Sequence, residues 1–527
     1  MQHNFDRLEQ DAKRKNSHLI LGIDPKDGNY EPYWGIIEQC HRGLAAIKIN
    51  LAFGEKDVET RMCIDQLIGL AQDCGLVTIL DCKRGDIMET QKKYAQADDY
   101  NFGADIYTLH GYPGPDAVQP YLEQDPNFCA YVMAAMSPPG SELQELMTSE
   151  GIRVYQQVVL QANKWFGDKP ELHNRVGFVV GSTKTKAVKD IMMMCREYGI
   201  EDPHFLCPGF AAQGGELEFI RHAGKNAFFP ISSGLIEEKY LKGRTPAEAI
   251  KDWNKIINKE REQMVTTPTM KEAVVDRLLG GGENFIKLND DPDPMKRFVL
   301  KKGRNKFKDA TGRELSKDRE HQIEEIRQAF KDGILQDNDL TRVFFNLRDV
   351  MGLEEGDQEV VDWMAHLYAK EILDAEKRQG MKFQRFAITP MGALGAGIPA
   401  VRALKRPHFI IRPEAKVTHD RVVGGIKNKG ASAENPTRIA IIEDVVTTSG
   451  SVLEQLDLAR ELGGDNVIIE DVFAYVKRQE EDCVGICANA GARLHSVMDW
   501  DYFTSVLRNS DNPRITPQLK DQLGMGK

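Results

Sequence analysis

Short apolar segments recur along the first half of the chain, separated by longer stretches in which apolar residues follow a helical spacing. Runs of four to eight residues rich in Val, Ile and Leu predict buried parallel strands, and apolar positions three and four apart predict amphipathic helices, as at 58–73 and 184–198. The predicted strands are 18–24, 43–50, 75–83, 104–111, 129–136, 175–183, 203–209 and 226–234. Such strand–helix alternation over about 260 residues is typical of a (β/α)₈ TIM barrel.

The pattern changes after the barrel. From 266 to 319 the alternation lapses, and only 270–279 reads as a helix. Further helices are predicted at 318–332, 358–377 and 453–462, and strands at 383–389, 408–412, 437–444 and 466–477. We therefore expect an N-terminal barrel (1–262), a connecting segment (263–320) and a second α/β domain with a mostly parallel sheet (321–527).

Length and composition agree with this division. A chain of 527 residues is too long for one core. The net charge of −11 argues against nucleic acid or an anionic membrane as a partner, and no apolar run predicts a signal peptide or a membrane span. The nine cysteines are scattered without a C-x-x-C pair, which indicates reduced thiols in a cytoplasmic protein, and we predict no metal bound directly by side chains.

Charged residues follow the third predicted strand directly. Asp81 and Lys83 are two apart and share a face of the strand, and Asp86 follows three residues later. The other polar residues at or just after predicted strand ends are Asp24, Lys48, Asn50, Ser137, Ser182, Thr183, Ser232 and Ser233, with Gln213 in a glycine-rich turn. Because the active site of a TIM barrel lies at the carboxyl ends of its strands, we expect these side chains to gather at one rim.

The predicted array alternates in charge. Like carboxylates held close need cations between them, and Lys48 and Lys83 would separate Asp81 and Asp86 from each other. Such an array suits a reaction that expels an anionic group beside a fixed carboxylate and then protonates a carbanion from an ammonium group. Taken alone, the motif could instead be a surface salt-bridge cluster.

The same residues carry a resemblance to a known family. Residues 80–87, Leu-Asp-Cys-Lys-Arg-Gly-Asp-Ile, resemble the D-x-K-x-x-D motif of orotidine 5′-monophosphate decarboxylases. Residues 208–215 are similar to the family's P-G-x-x-x-Q-G-G, and 22–25 and 47–50 to its first two strand ends. The resemblance covers about residues 15 to 262 and implies a homodimeric enzyme, or a higher homo-oligomer, that uses no metal or cofactor.

The resemblance also implies roles. Lys83 would protonate C6 of the pyrimidine, Asp81 would face the departing carboxylate, and Lys48 would complete the network. Asp86, with Ile87 and Thr90, would enter the neighbouring subunit's site. The implied substrate contacts are Asp24 to ribose, Ser137 to the base, and Asn50, Gln213 and Ser233. The family's phosphate-binding arginine is absent, since Gly234 follows the serines, so backbone amides, Gln213, Lys239 or Arg244 would have to replace it.

The second half has its own candidate site. A predicted buried strand ends in Glu443 and Asp444, and a hydroxyl-rich turn, Thr447, Thr448, Ser449, Gly450 and Ser451, opens a helix. This arrangement predicts a phosphate cradle at a helix N-terminus beside an acidic pair for sugar hydroxyls. No G-K-[ST] is present, so it is not a Walker loop. An ordinary N-capped helix is the alternative.

These residues resemble the 5-phosphoribosyl 1-pyrophosphate motif of type I phosphoribosyltransferases. Residues 412–416, 344–346, 477–480 and 493–497 are similar to segments of orotate phosphoribosyltransferase, with coverage from about 321 to 510. The resemblance implies ribose contacts from Glu443 and Asp444, phosphate contacts from 447–451, base contacts from Phe344, Phe345 and Arg478, and pyrophosphate contacts, with Mg²⁺, from Arg412, Lys416 and His419. Pro413 replaces a lysine of the family pattern, and the K-S-G-R expected near Gln336 is missing.

The two resemblances support each other, because the product of the second activity is the substrate of the first. Together they resemble bifunctional uridine monophosphate synthases with the decarboxylase placed first, as in kinetoplastids and cyanobacteria. Two alternatives remain. The barrel could belong with Mg²⁺-dependent sugar-phosphate decarboxylases that share D-x-K-x-x-D, or the second half could be a weakened enzyme acting as a nucleotide-sensing or assembly module.

Overall fold

The chain divides into two compact units, Met1–Thr148 with Arg153–Thr269 and Ser149–Ile152 with Met270–Lys527. This computed structural model describes residues 3–280 apart from 139, 168 and 211–213. In the second half it describes 286–288, 302–303, 306–307, 343–345, 355–389, 393–411, 422–423, 436–446, 450–463, 466–477 and 482–509.

The first unit is a closed barrel in which each strand pairs in parallel with the next and the eighth returns to the first. The strands are β1 (Leu19–Ile23), β2 (Ala46–Asn50), β3 (Val77–Arg84), β4 (Ile106–Leu109), β5 (Cys129–Ala135), β6 (Val176–Val180), β7 (Phe205–Leu206) and β8 (Ala227–Ile231). The predicted (β/α)₈ architecture is therefore confirmed, with one strand at each predicted position.

The helices of this unit follow the strands in alternation. They are α1 (Asn4–Lys15), α2 (Glu31–Cys40), α3 (Val58–Asp73), α4 (Met88–Phe102), α5 (Gln119–Gln124), α6 (Val154–Trp165), α7 (Pro170–His173), α8 (Thr185–Glu197), α9 (Glu218–His222), α10 (Glu238–Leu241) and α11 (Pro246–Arg261). The seventh strand is shorter than predicted. Pro203 and Pro208 flank it and have no N–H to donate to the ladder, which limits β7 to two residues.

Helix α1 closes the amino-terminal end of the barrel. Its apolar residues Phe5, Leu8 and Ala12 are buried in one cluster with the first residues of several strands. Arg7 adds an ion pair to Asp105 at 3.0 Å and a hydrogen bond to the carbonyl of Leu76. The polar cavity described below lies at the opposite end of the barrel, where the strands have their carboxyl ends.

The second unit contains a six-stranded sheet in the order β15-β14-β13-β16-β17-β18. Its strands are β13 (Arg385–Ile388), β14 (His408–Ile411), β15 (Val422–Val423), β16 (Thr437–Val446), β17 (Val467–Lys477) and β18 (Arg493–Asp499), and all neighbours are parallel except β14 and β15. Two short antiparallel pairs join β9 (Ile286–Leu288) to β12 (Val343–Phe345) and β10 (Lys302–Gly303) to β11 (Lys306–Phe307).

The described helices of the second unit are α12 (Met270–Gly280), α13 (Glu355–Gln379), α14 (Leu394–Ala403), α15 (Gly450–Gly463), α16 (Cys483–Asn489) and α17 (Trp500–Asn509). The sequence did not predict α14, because its glycines and Pro399 are poor helix formers. Burial of Ala396, Ala400 and Val401 overrides that preference. The helix predicted at 318–332 lies outside the described residues. No helix in the described ranges has both the length and the apolar character needed to cross a membrane.

Candidate active site

A cavity of about 530 Å³ lies at the carboxyl ends of the barrel strands. Most of the polar residues expected at strand ends line it, together with apolar side chains such as Met133 and Phe210. The polar and charged lining residues are Asp24, Lys26, Lys48, Asn50, Asp81, Lys83, Thr108, Ser137, Ser232 and Ser233. Ser182 and Thr183, also expected at this rim, are not among the residues that line the cavity.

The centre of the cavity is a carboxylate held by two ammonium groups. Lys48 Nζ lies 2.6 Å from Asp81 Oδ2, and Lys83 Nζ lies 2.6 Å from Asp81 Oδ1. Lys48 Nζ is also 3.9 Å from Asp24 Oδ1. Successive ion pairs therefore connect four groups of alternating charge, Asp24, Lys48, Asp81 and Lys83. Strand pairing produces this proximity, since β2 lies beside β3 and Asp81 is the register partner of Asn50.

The electrostatics of the cluster favour the charged forms of its two buried members, Asp81 and Lys48. Burial opposes ionisation of Asp81, but the ammonium groups of Lys48 and Lys83 outweigh burial and hold the pKa of this carboxyl well below its usual range. Burial alone would lower the pKa of Lys48, but the carboxylates of Asp81 and Asp24 raise it above the ordinary value. A buried carboxylate and a buried ammonium are therefore both ionised at neutral pH.

Thr108 connects Asp81 to the backbone of Lys83. Its hydroxyl donates to Asp81 Oδ1 at 2.8 Å and accepts from the backbone N–H of Lys83 at 3.1 Å. Lys83 has φ of 49°, in the left-handed region that residues other than glycine rarely adopt. No polar residue of the fourth strand was among the expected site residues. The sequence did contain a sign of this role, because Thr108 is the one hydroxyl-bearing aliphatic side chain in the apolar strand Ile106–Leu109.

The remaining cavity residues lie around this cluster. The hydroxyl of Ser232, after β8, donates to Asp24 Oδ2 after β1. Gly22 makes room for this contact, since a Cβ at that position would collide with Ser232 Oγ. Asn50 faces the cavity and accepts a hydrogen bond from the N–H of Ala52 at 3.3 Å.

Asp86, Ile87 and Thr90 do not line the cavity of their own chain. The Asp86 carboxylate accepts a hydrogen bond from the N–H of Ile87 at 2.8 Å, and its own N–H donates to Gln91 Oε1. The side chain of Ile87 is 64% exposed. The charge array within one chain therefore consists of Asp24, Lys48, Asp81 and Lys83, without the aspartate that we expected at its end.

The second unit places Glu443 and Asp444 near the carboxyl end of β16. Glu443 is buried, its backbone carbonyl accepts from the Tyr368 hydroxyl, and its carboxyl Oε2 has no hydrogen-bond partner among the described residues. Burial, followed by the neighbouring Asp444, raises the pKa of the Glu443 carboxyl well above its ordinary value. The strand order reverses between β13 and β16, which is where doubly wound sheets bind ligands.

Several predicted site residues lie outside the described residues, namely Gln213, Arg412, Lys416, His419, Thr447, Thr448, Ser449 and Arg478. Phe344 and Phe345 belong to β12, and Gly450 and Ser451 begin α15, but only their backbone is described. All nine cysteines are free. Within the described part of the chain, no group of three or more His, Cys, Asp or Glu residues could hold a metal ion.

Comparison with known proteins identifies the barrel. Residues 17–224 match the model of the orotidine 5′-phosphate decarboxylase / HUMPS family. The chain is 31% identical over 230 residues to orotidine 5′-phosphate decarboxylase of Haloarcula marismortui, covering 41% of this chain and 79% of the relative. It is 32% identical over 221 residues to the enzyme of that name from a Roseiflexus species, covering 39% and 77%. The structure of Leishmania donovani UMP synthase is similar over 99% of both chains, with 22% identity and a TM-score of 0.45.

The fold and the cavity define a TIM-barrel protein with a lysine–aspartate–lysine cluster, buried at Lys48 and Asp81, at the carboxyl ends of its strands. By its sequence similarity the chain belongs to the orotidine 5′-phosphate decarboxylase family. The family match lies wholly within the first unit.

Proposed function

We propose that the barrel decarboxylates orotidine 5′-monophosphate to uridine 5′-monophosphate and CO₂. The observation that carries this proposal is the pairing of Asp81 with two ammonium groups inside a cavity large enough for a nucleotide. The sequence similarity to orotidine 5′-phosphate decarboxylases supports the choice of substrate.

The cluster can perform both halves of this reaction. The substrate carboxylate lies next to the fixed negative charge of Asp81, which favours loss of the neighbouring negative group as neutral CO₂. The C6–carboxyl bond breaks, and its electron pair remains on C6. The ammonium of Lys83 stabilises that pair and then donates a proton to C6, after which Lys83 regains a proton from water. Lys48 holds Asp81 ionised and in place.

The active form that we propose is a homodimer in which each cavity receives Asp86, Ile87 and Thr90 from the partner. These three residues do not line the cavity of their own chain. Apolar side chains in the segments that follow the neighbouring strands are exposed, Val58 at 71% and Tyr112 at 98%. An exposed apolar group of this kind around an incomplete site supports association with a second copy.

For the second unit we propose orotate phosphoribosyltransferase activity, which forms orotidine 5′-monophosphate from orotate and 5-phosphoribosyl 1-pyrophosphate. Glu443 and Asp444 lie at the reversal of strand order, where a ligand site is expected in such a sheet. The buried carboxyl Oε2 of Glu443, which has no hydrogen-bond partner within the part of the chain that the structure describes, suits a sugar hydroxyl as donor. Mg²⁺ bound together with the pyrophosphate substrate would supply the positive charge that stabilises the leaving group.

A variant of the full chain tests both activities at once. Lys83→Ala blocks the proposed decarboxylation, so orotate, 5-phosphoribosyl 1-pyrophosphate and Mg²⁺ should yield pyrophosphate and an equal amount of orotidine 5′-monophosphate that accumulates. The unmodified chain should carry the same mixture through to uridine 5′-monophosphate. No pyrophosphate from either protein would reject the transferase and favour a nucleotide-sensing or assembly role for the second unit.

A further inference from the structure

The substrate proposed for the barrel carries a phosphate, and no lysine or arginine directly follows the two serines after β8. Ser232 and Ser233 are followed by Gly234 and Leu235. Three cationic residues line the cavity among the described residues, Lys26, Lys48 and Lys83. Lys48 and Lys83 are both paired with Asp81, so Lys26 is the cavity-lining cation outside the central cluster.

Lys26 is placed at the junction of the first and last strands. It lies two residues after Asp24, beyond the end of β1, and β1 pairs with β8 through Leu21 and Ile231. Ser232 and Ser233, which follow β8, line the same cavity. Lys26 therefore shares its end of the cavity with two serines.

In the structure the ammonium of Lys26 binds a carboxylate. Lys26 Nζ lies 2.9 Å from Glu237 Oε1, and Lys239 Nζ lies 2.9 Å from Glu237 Oε2. Hydrogen bonds from Lys239, Lys26 and Ser233 lower the pKa of Glu237 to about 2. These groups are thus arranged around an oxyanion, and a phosphate dianion presents the same kind of acceptor with more charge.

We propose that Lys26 is the cation that binds the substrate's phosphate, exchanging Glu237 for the phosphate when the nucleotide enters. This inference rests on the proposed decarboxylase function, because that function supplies the phosphate. Glu237 holds Lys26 in the empty protein and repels the phosphate electrostatically, so it acts as a competitor that the substrate displaces.

The other bases near β8 fit this role less well. Arg244 is paired with Asp252 at 2.7 Å and donates to the carbonyls of Leu241 and Tyr240. Lys239 shares Glu237 with Lys26 but does not line the cavity. Lys239 is therefore the matched control, since its replacement disturbs the same carboxylate without removing a cavity cation.

The test compares Lys26→Ala and Lys239→Ala in the full chain, by steady-state decarboxylation of orotidine 5′-monophosphate and by calorimetric binding of uridine 5′-monophosphate and uridine. Loss of a hydrogen-bonded charge should raise KM and weaken the monophosphate about ten- to a hundred-fold in Lys26→Ala, with uridine unchanged. Lys239→Ala should stay within about twofold of the unmodified chain. Equal weakening of monophosphate and uridine by Lys26→Ala, or equal effects of the two variants, would overturn the proposal.

The two measurements separate this inference from the proposed function. If the chain binds the monophosphate through Lys26 but releases no CO₂, the decarboxylase function fails and the phosphate site stands. If it releases CO₂ and Lys26→Ala leaves KM unchanged, the phosphate site fails alone. Glu237→Gln gives an effect of opposite sign, because removal of the competing charge should tighten monophosphate binding severalfold. Unchanged or weaker binding in Glu237→Gln would contradict the exchange.

Discussion

Two acidic side chains at the carboxyl ends of parallel strands, Asp81 in the barrel and Glu443 in the second unit, are buried in opposite electrostatic surroundings. Asp81 accepts from two ammonium groups at 2.6 Å, and its pKa is far below the ordinary range despite burial. Glu443 has no ion-pair partner within the described residues, and burial with Asp444 alongside raises its pKa.

The difference indicates two kinds of site. The barrel brings its own countercharges, so its field is present before any ligand arrives, which is what a reaction driven by electrostatic preorganisation requires. The second unit holds a carboxyl group whose pKa is raised by burial, so its charged form is disfavoured unless a ligand or another charge changes its surroundings. We therefore expect the barrel residues to respond most strongly to loss of charge.

The largest effect should come from Lys83→Ala, which removes one of the two cations that distinguish Asp81 from Glu443. Loss of the proton donor should lower kcat for decarboxylation at least about a thousand-fold, while binding of uridine 5′-monophosphate remains measurable. Lys92→Ala is the matched control, because Lys92 is an exposed lysine paired with Glu89 nearby on α4. Appreciable residual turnover in Lys83→Ala would refute the proton donor.

A mixing experiment tests whether the barrel site is completed by a second chain. Asp86→Asn and Lys83→Ala should each be nearly inactive alone. A heterodimer of the two has one cavity with both native residues, so it should recover about half the activity of the native dimer. The measurement is decarboxylation by heterodimers purified with two affinity tags. If verified heterodimers remain inactive, Asp86 does not act across the interface.

Replacing each of the two carboxyl groups by an amide should affect the free energy of unfolding differently. Asp81→Asn removes the nearer of the two carboxylates that pair with buried Lys48 and should cost about 3 kcal/mol of the free energy of unfolding. Glu443→Gln keeps the shape and removes the ionisable group, so it should be neutral or stabilising. Urea unfolding of the full chain checks both. A large loss of stability in Glu443→Gln would show that the Glu443 carboxylate is ionised in the folded chain and stabilised by its neighbours.

The dependence on pH follows from the same shifts. The folded pKa of Asp81 is below its unfolded value of 3.8, so its contribution to stability is present above that value and lost as pH falls through the folded pKa. The folded pKa of Glu443 is above its unfolded value of 4.5, so stability falls as pH rises from there toward the folded pKa. Glu443→Gln should abolish that loss, which unfolding curves between pH 5 and 8 would detect.

A smaller effect is expected at Thr108, which orients Asp81 and the backbone of Lys83. Thr108→Val should lower kcat about ten- to a hundred-fold, because a hydrogen bond to a charged group is lost, with KM nearly unchanged. Thr108→Ser keeps the hydroxyl and should restore most of kcat. Equal losses in both variants would mean that the hydroxyl alone does not account for the effect, and a loss confined to Thr108→Ser would mean that the methyl group matters instead.

The sequence predicted much of the barrel because its signals are local. Strand runs, helical spacing and the placement of Asp81 and Lys83 follow from periodicity and from the rule that strand ends meet at one rim. Helix α1 escaped notice although Phe5, Leu8 and Ala12 have helical spacing. Thr108 and Lys26 were missed because their roles depend on which strands are neighbours, which β3–β4 pairing and the closure of β8 onto β1 establish.

The most direct test of the central claim is release of labelled CO₂ from carboxyl-labelled orotidine 5′-monophosphate by the purified full chain, with and without a metal chelator. We expect rapid release that the chelator leaves unchanged, because Asp81, Lys48 and Lys83 supply the charges that the reaction needs. Absence of release, or release that stops with chelator, would contradict it, and the second result would favour a Mg²⁺-dependent sugar-phosphate decarboxylase.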